Sequence, residues 1–277
     1  PTQMVLEARL EALEKGTKTA IGIPGALATS SGQAAETLAI LNLAETGDHI
    51  VASSSLYGGT YNLLHYTLPK MGINTTFVKN PDDISEWESA IKPETKLFYG
   101  ESIGNPKNDF LDIKGISQVA HNSGIPLIVD NTVATPYLLN PLTMGADVVV
   151  HSMTKFIGGH GNSIGGVIID GGTFDYGESG RFSNFVEPDP SYHGLCYWPA
   201  LGHGSYIIKA RVQLLRDLGS AMSPFNAFTF IQGLETLPIR FRQHQENAEK
   251  VAEFLTNKKN VIKVIHPKYQ QGIYKER

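Results

Sequence analysis

The chain has 277 residues, 41% of them hydrophobic and 18% charged, which is enough to bury a sizeable core in one large domain with room for part of a second. A net charge of −4 with no basic run argues against nucleic acid or an anionic membrane as partner, and no apolar run approaches the ~20 residues that a membrane span requires. Cys196 is the only cysteine, so no internal disulfide can form, and a reducing, cytoplasmic setting is expected.

TQMVLEARLEALEKG spaces Met4 or Val5, Leu6, Leu10 and Leu13 for an amphipathic helix that stops at Gly16. An alternation of patterns follows. GQAAETLAILNLAE reads as a helix, HIVASS as a strand, YGGTYNLLHYTLPKMG as a helix and NTTFVK as a strand. DDISEWESAIK is a helix opened by Asp, KLFYGES a strand, DIKGISQVAHNSG a helix and PLIVD a strand. Beyond a proline-broken connection come the strands DVVVHS and GGVIID. This order predicts an α/β fold whose mainly parallel sheet has helices on both faces, with ligands beyond the carboxyl ends of its strands. RFSNFVEPDPSYHGLCYWPALGHG is long, aromatic and aperiodic, and a loop of that length is expected to be functional. Helical patterns at 205–218 and 224–255 precede a strand-like VIKVIHP. A boundary near 220–224 divides the chain into a large domain, 1–222, and a linking helix with the start of a smaller α/β domain, 223–277.

The stretch VVVHSMTKFIGGHG puts Lys155 at the end of a core strand, between hydroxyls and a glycine-rich loop, a setting no surface lysine needs. Three further elements converge with it. ATSSGQAAE places Ser31, Gly32 and Gln33 at a helix N-terminus, where free N–H groups and the helix dipole suit a phosphate; an ordinary N-cap is the plainer reading of that segment alone. PLIVDNT ends a strand with Asp130, and SSSLYGGT puts Tyr57 just past another. Adjacent strand ends lie side by side, so Asp130 and Lys155 can face one pocket. A lysine amine there can form a Schiff base with an aldehyde cofactor, and an anionic partner keeps a pyridine nitrogen protonated. Ser152 and Thr154, with the Ser31–Gly32 turn, supply donors to a phosphate, and Tyr57 supplies a flat face. Together these describe a site for pyridoxal 5′-phosphate (PLP).

With ESIGNPKN and MSPFNAFTFIQGLETLPIRFRQHQENA, these motifs resemble the Cys/Met-metabolism family of PLP enzymes, the fold-type I transsulfuration enzymes, over essentially the whole chain. FVEPDPSYHG and KARVQLLRDLGSAMSPFNAF are most similar to its O-acetylhomoserine sulfhydrylase branch. The resemblance implies Lys155 as the Schiff-base lysine and repeated general base, and Asp130 as partner of the pyridine nitrogen. It implies Ser31, Ser152, Thr154, Gly32 and the Gln33 backbone around the phosphate, Tyr57 stacked on the ring and assisting proton transfer, and Asn105 near the 3′-oxygen. Gln33 departs from the methionine common in sibling enzymes, but that position donates its backbone N–H, so phosphate binding is expected to persist. The implied reaction is γ-replacement on O-acetyl-L-homoserine by sulfide or a small thiol, giving homocysteine or methionine and acetate. Cystathionine γ-synthase and the cystathionine or methionine γ-lyases are the alternatives. Gly59 stands where methionine γ-lyases carry a cysteine, which argues against that lyase. The family also implies a homotetramer, a dimer of dimers with shared active sites. Its Tyr-x-Arg arm and its carboxylate-binding arginine would fall outside Pro1–Arg277, so a longer parent chain is expected.

One remote rival is an α/β-hydrolase. Gly100-Glu101-Ser102-Ile103-Gly104 matches G-x-S-x-G, with Asp130 and His151 or His160 following in that fold's order, but Asn105-Pro106 interrupts the helix such an elbow requires. No H-E-x-x-H and no phosphate-loop or dinucleotide fingerprint is present, so no metal is expected.

Overall fold

In chain order the strands are β1 (Ala26–Thr29), β2 (His49–Ser53), β3 (Asn74–Val78), β4 (Thr95–Glu101), β5 (Leu127–Asp130), β6 (Val148–Ser152) and β7 (Gly166–Asp170). In the computed structural model, which describes residues 1–276, they form one sheet in the order β1-β7-β6-β5-β4-β2-β3. The pairings β2–β3, β2–β4, β4–β5 and β5–β6 are parallel, as the alternating sequence predicts, while β7 runs antiparallel to both β6 and β1. Parallel neighbours need a crossover, and helices α3 (Gly58–Asn62), α4 (Ile84–Ser89) and α5 (Ile113–Asn122) lie in the connections between β2 and β5; α1 (Thr2–Glu14) and α2 (Gly32–Leu41) flank β1 in the chain. The β6–β7 connection has no such helix, so the chain returns antiparallel.

Strand β1 was not among the predicted elements. Its ALAT sequence is only four residues long and has no β-branched run, so packing rather than propensity makes it a strand. It forms an edge of the sheet, and side chains satisfy that edge. Glu7 Oε1 accepts the Ala28 N–H at 2.8 Å, Glu11 Oε2 accepts the Gly25 N–H at 2.9 Å, and Arg211 donates to the Ala26 carbonyl at 2.8 Å. This pairing corrects the predicted face of α1: Leu6 and Leu10 are buried together with Glu7, Glu11 and Glu14, while Met4, Val5 and Leu13 are exposed.

Each face of the sheet carries one core. On one, α1 and α5 pack with the long helix Pro224–Thr256 through Leu6, Leu10, Ile116, Phe230 and Phe241. On the other, α2 packs with the segment after β7 through Leu38, Phe182, Phe185, Tyr197 and Tyr206. That aromatic segment builds a core wall, in which Tyr176 stacks on Phe185 with centroids 4.3 Å apart. VIKVIHP forms no strand, and Ile262 is fully exposed, because among the described residues no neighbouring strand lies there to pair with it.

Candidate active site

The carboxyl ends of β4, β5 and β6 and the N-terminus of α2 surround a cavity of ≈ 630 Å³. Ser31, Gly32, Gln33, Tyr57, Asn105, Asp130, Ser152, Thr154 and Lys155 all line it. A larger hollow of ≈ 1190 Å³ lies between the 267–275 segment and residues 110–114, and it touches none of those nine.

Helix α2 starts where Ser31, in extended conformation, caps it by accepting the Ala34 N–H on Oγ at 3.0 Å. The serine Oγ is engaged as an acceptor in the cap, which leaves its O–H, with the N–H groups of Gly32 and Gln33, as donors for a ligand. Residue 32 must be glycine: a Cβ there would lie 2.6 Å from Ser152 Cβ. That approach places the α2 N-terminus directly on the end of β6, with the Ser152 and Thr154 hydroxyls beside it. Thr154 Oγ1 is also hydrogen-bonded to Gly165 N at 3.2 Å and Gly165 O at 3.3 Å, which ties the end of β6 to the start of β7.

Lys155 opens the loop after β6 and is exposed to the cavity. The Gly159 N–H closes back on its carbonyl at 2.8 Å, in a turn where Gly159 has φ +73°. Arg240, from the long helix, clasps this loop by donating to Phe156 O at 2.9 Å. One strand away, Asp130 Oδ1 accepts the Thr132 N–H at 2.8 Å, and Thr132 Oγ1 in turn accepts the Ser152 N–H at 2.8 Å. Burial raises the Asp130 pKa, against the Thr132 hydrogen bonds and nearby His151, which lower it.

Several lining residues were not anticipated. Glu36, buried in α2, accepts from Thr60 Oγ1 at 2.9 Å and Tyr99 OH at 2.8 Å, and from the Gln33 side chain. Burial first, then Asp130, push it up to about 8. Glu101 is pushed up to about 8 by the same two causes. It ends β4 in register with Asp130 at the end of β5, so the strand-end rule that found Asp130 could have found it too. Glu36 carried a signal as the acidic residue of an otherwise largely apolar helix. His244 reaches the cavity from the long helix, distant in sequence, and nothing local marks it.

The hydrolase rival fails on geometry. Ser102 is buried and donates to Asn131 Oδ1 at 2.8 Å, while His151 Nε2 pairs with Glu14 at 2.6 Å. Turns rather than a helix follow Gly104.

A PLP cofactor fits these residues: a glycine cradle at a helix N-terminus beside two hydroxyls suits a phosphate, and a buried carboxyl one strand from a cavity-facing lysine suits a protonated pyridine aldehyde. The fold and site thus fit a pyridoxal-phosphate-binding domain on an open α/β sheet. The chain belongs to the Cys/Met metabolism PLP-dependent enzyme family, whose model matches residues 1–274. It is 56% identical over 275 residues to an O-acetyl-L-homoserine sulfhydrylase of Leptospira meyeri, which covers 96% of this chain and 60% of that relative. It is 48% identical over 271 residues to a homocysteine/cysteine synthase of Saccharomyces cerevisiae, 96% of this chain and 59% of that one. Among solved structures, a Campylobacter jejuni protein described as an O-acetylhomoserine (thiol)-lyase, containing a pyridoxyl-lysine phosphate, superposes with TM-score 0.91 at 38% identity over 100% of this chain and 67% of that one. The chain therefore spans about 60% of the length of these curated relatives.

Proposed function

We propose that this chain carries the cofactor site of an enzyme that replaces the γ-acetoxy group of O-acetyl-L-homoserine with sulfide or a small thiol, giving homocysteine or methionine and acetate. The observation that carries the reading is the shared cavity of Lys155, Asp130 and the Gly32–Ser152–Thr154 cradle. The names of the relatives support the choice of substrate. When bound, PLP supplies an electron sink for charge developing at the substrate Cα. The chain's own groups do the rest. Gly32 and Gln33 N–H, with the Ser152 and Thr154 hydroxyls, hold the phosphate. Asp130, raised by burial when alone, is returned to its ionised form by a cationic neighbour and keeps the pyridine nitrogen protonated. Tyr57 offers a ring face, and the Asn105 amide lies within the same cavity. Lys155 Nζ would take the proton from Cα and, once it had handed that proton on to the bound cofactor, take one from Cβ; acetate would then leave Cγ, the thiol would add there, and the two protons would be returned by the same amine.

Three wider features belong to the same proposal. A homotetramer with shared sites is supported by Phe225, 84% exposed, with Ile164 and Phe228 also exposed close to it on the molecule's surface. A second domain beginning at 223 is supported by the long helix, which buries only Ala252 beyond Phe241. A cytoplasmic location is supported by the lone Cys196. No helix among the described residues is long and apolar enough to cross a membrane.

The test is borohydride reduction of the purified holoprotein followed by peptide mapping. A pyridoxyl adduct on Lys155, lost in Lys155→Ala together with homocysteine formation, is the expected result; turnover at the wild-type rate by Lys155→Ala would falsify the reading. Light scattering on the same sample reads the assembly, and Phe225→Glu is expected to lower the mass.

A further inference from the structure

Glu101 closes β4, is 6% exposed, and yet borders the cavity. Its two carboxyl oxygens serve two different loops. Oε1 accepts the Tyr57 N–H at 2.5 Å, at the start of α3 after β2, and Oε2 accepts the Asn105 N–H at 3.1 Å, in the turn after β4. Neither the Tyr57 hydroxyl nor the Asn105 amide has a hydrogen-bond partner among the described residues, so nothing in the cavity fixes those side chains directly. Their backbones are fixed instead, and from a single point on the rigid sheet, in register with Asp130.

We propose that Glu101 is a positioning residue: as a carboxylate it clamps the Tyr57 and Asn105 backbones together, and so sets where the ring and the amide meet a ligand in the cavity. The inference rests on the cofactor reading above and deepens it. Two N–H groups, one on each oxygen, require the ionised form, since a neutral acid or an amide offers only one good acceptor and turns a hydrogen toward the second donor. Burial and the neighbouring Asp130 oppose that form, and the two N–H groups favour it. The groups facing Glu101 are Asp130 from β5 and Glu36 from α2, both acidic. A cationic ligand against Asp130 therefore tightens the clamp, while the empty cavity loosens it. Cofactor affinity and the order of the Tyr57 and Asn105 loops become one linked property.

The test compares wild-type, Glu101→Gln, Tyr57→Ala and Tyr57→Ala/Glu101→Gln holoproteins. Borohydride trapping on wild type comes first: without an adduct on Lys155 the cofactor reading falls and this inference falls with it. Given the adduct, cofactor-free protein is titrated with PLP, and the visible circular dichroism of the bound cofactor is recorded. The expected result is a Kd raised by about tenfold in Glu101→Gln, the loss of one charge-assisted hydrogen bond. The dichroic band should change, and Glu101→Gln should cost less affinity in the Tyr57→Ala background than in wild type, because only the Asn105 arm is then left for Glu101 to position. A merely structural role would lower the Tm of Glu101→Gln and leave Kd and the dichroic band at wild-type values; that outcome overturns the proposal while sparing the cofactor. If Glu101→Gln does not fold, amide hydrogen exchange on the wild-type holoprotein decides. Joint protection of the Tyr57 and Asn105 amides that strengthens on cofactor binding is expected, and free exchange at either one overturns the clamp.

Discussion

A methyl group on residue 32 would collide with Ser152, at 2.6 Å from its Cβ, so Gly32→Ala must push α2 away from the end of β6. Both halves of the proposed phosphate cradle sit on that contact. Gly32→Ala is expected to weaken PLP binding by roughly tenfold or more, since it misaligns several donors at once, while α2 itself, capped by Ser31, keeps its helicity. A titration of the cofactor-free variant against wild type, with far-UV circular dichroism as control, checks this; unchanged affinity would show that the contact does not shape the site. At this scale the sequence was informative where chemistry was unusual. Lys155 and Asp130 stand out because a charge ends a buried run, and Gly32 because it follows a cap. Glu101, ending a strand as Asp130 does, and Glu36, the one acid of a largely apolar helix, carried a local signal that went unread, because it says nothing of their burial or partners. Their hydrogen-bond partners, Thr60, Tyr99, Tyr57 and Asn105, converge only in three dimensions.

The elements that position these residues were mostly legible, because the periodicity of core-facing side chains is local. The exceptions share a cause: tertiary contacts overrode the pattern. Glu7 and Glu11 of α1 point inward to satisfy the edge of β1, Glu14 points inward to His151 and Asn131, and β1 exists because β7 pairs with it. VIKVIHP has the strand pattern without a partner. The long helix, expected over 224–255, is found over Pro224–Thr256 despite its proline. Pro238 lies inside it without an N–H to contribute, and Arg240, two residues on, donates to the Gly233 carbonyl at 2.8 Å and to Phe156 O at 2.9 Å. One guanidinium thus supports the helix near its proline and anchors the loop that carries Lys155. Arg240→Ala is expected to cost roughly 1–3 kcal/mol, the range for hydrogen bonds from a charged donor, and to lower Tm by several degrees. It should also slow trapping of Lys155 by borohydride, because the loop is released from the helix. Arg240→Lys, a point charge unable to span two carbonyls, should recover little of either effect. A variant with full thermal stability and normal trapping would separate the helix from the loop.

Across the whole molecule the sheet divides two cores, and buried charge decides how stability responds to pH. Without a cofactor, Glu36 is raised from 4.5 to about 8 and Asp170 from 3.8 to about 7, each mainly by burial, and His121 is raised by its bond to Asp147. A raised group holds its proton in the folded state after the unfolded chain has released it. Its contribution is therefore complete below the unfolded pKa and is lost as pH climbs through the folded one. His49 acts oppositely, lowered from 6.5 to about 4 by burial, but its effect is spent by pH 6.5. Lys209, lowered from 10.5 to about 8 by burial, begins to add stability only above pH 8. Between pH 6.5 and 8 the acids act with little opposition, so the cofactor-free protein is expected to lose stability as pH rises across that window, a decline that ends beyond it, where Lys209 begins to add stability. Urea midpoints at half-unit intervals of pH measure this directly. Glu36→Gln replaces the buried acid by a neutral group of the same size, and it should flatten the slope by up to about 1.4 kcal/mol per pH unit, one proton's worth. A cationic cofactor beside Asp130 would favour the ionised acids, so the holoprotein should show a shallower decline than the cofactor-free form. If stability instead stays level from pH 6.5 to 8 without the cofactor, Glu36 and Asp170 are already ionised in the folded protein, and Glu36 is better hydrated than its burial indicates.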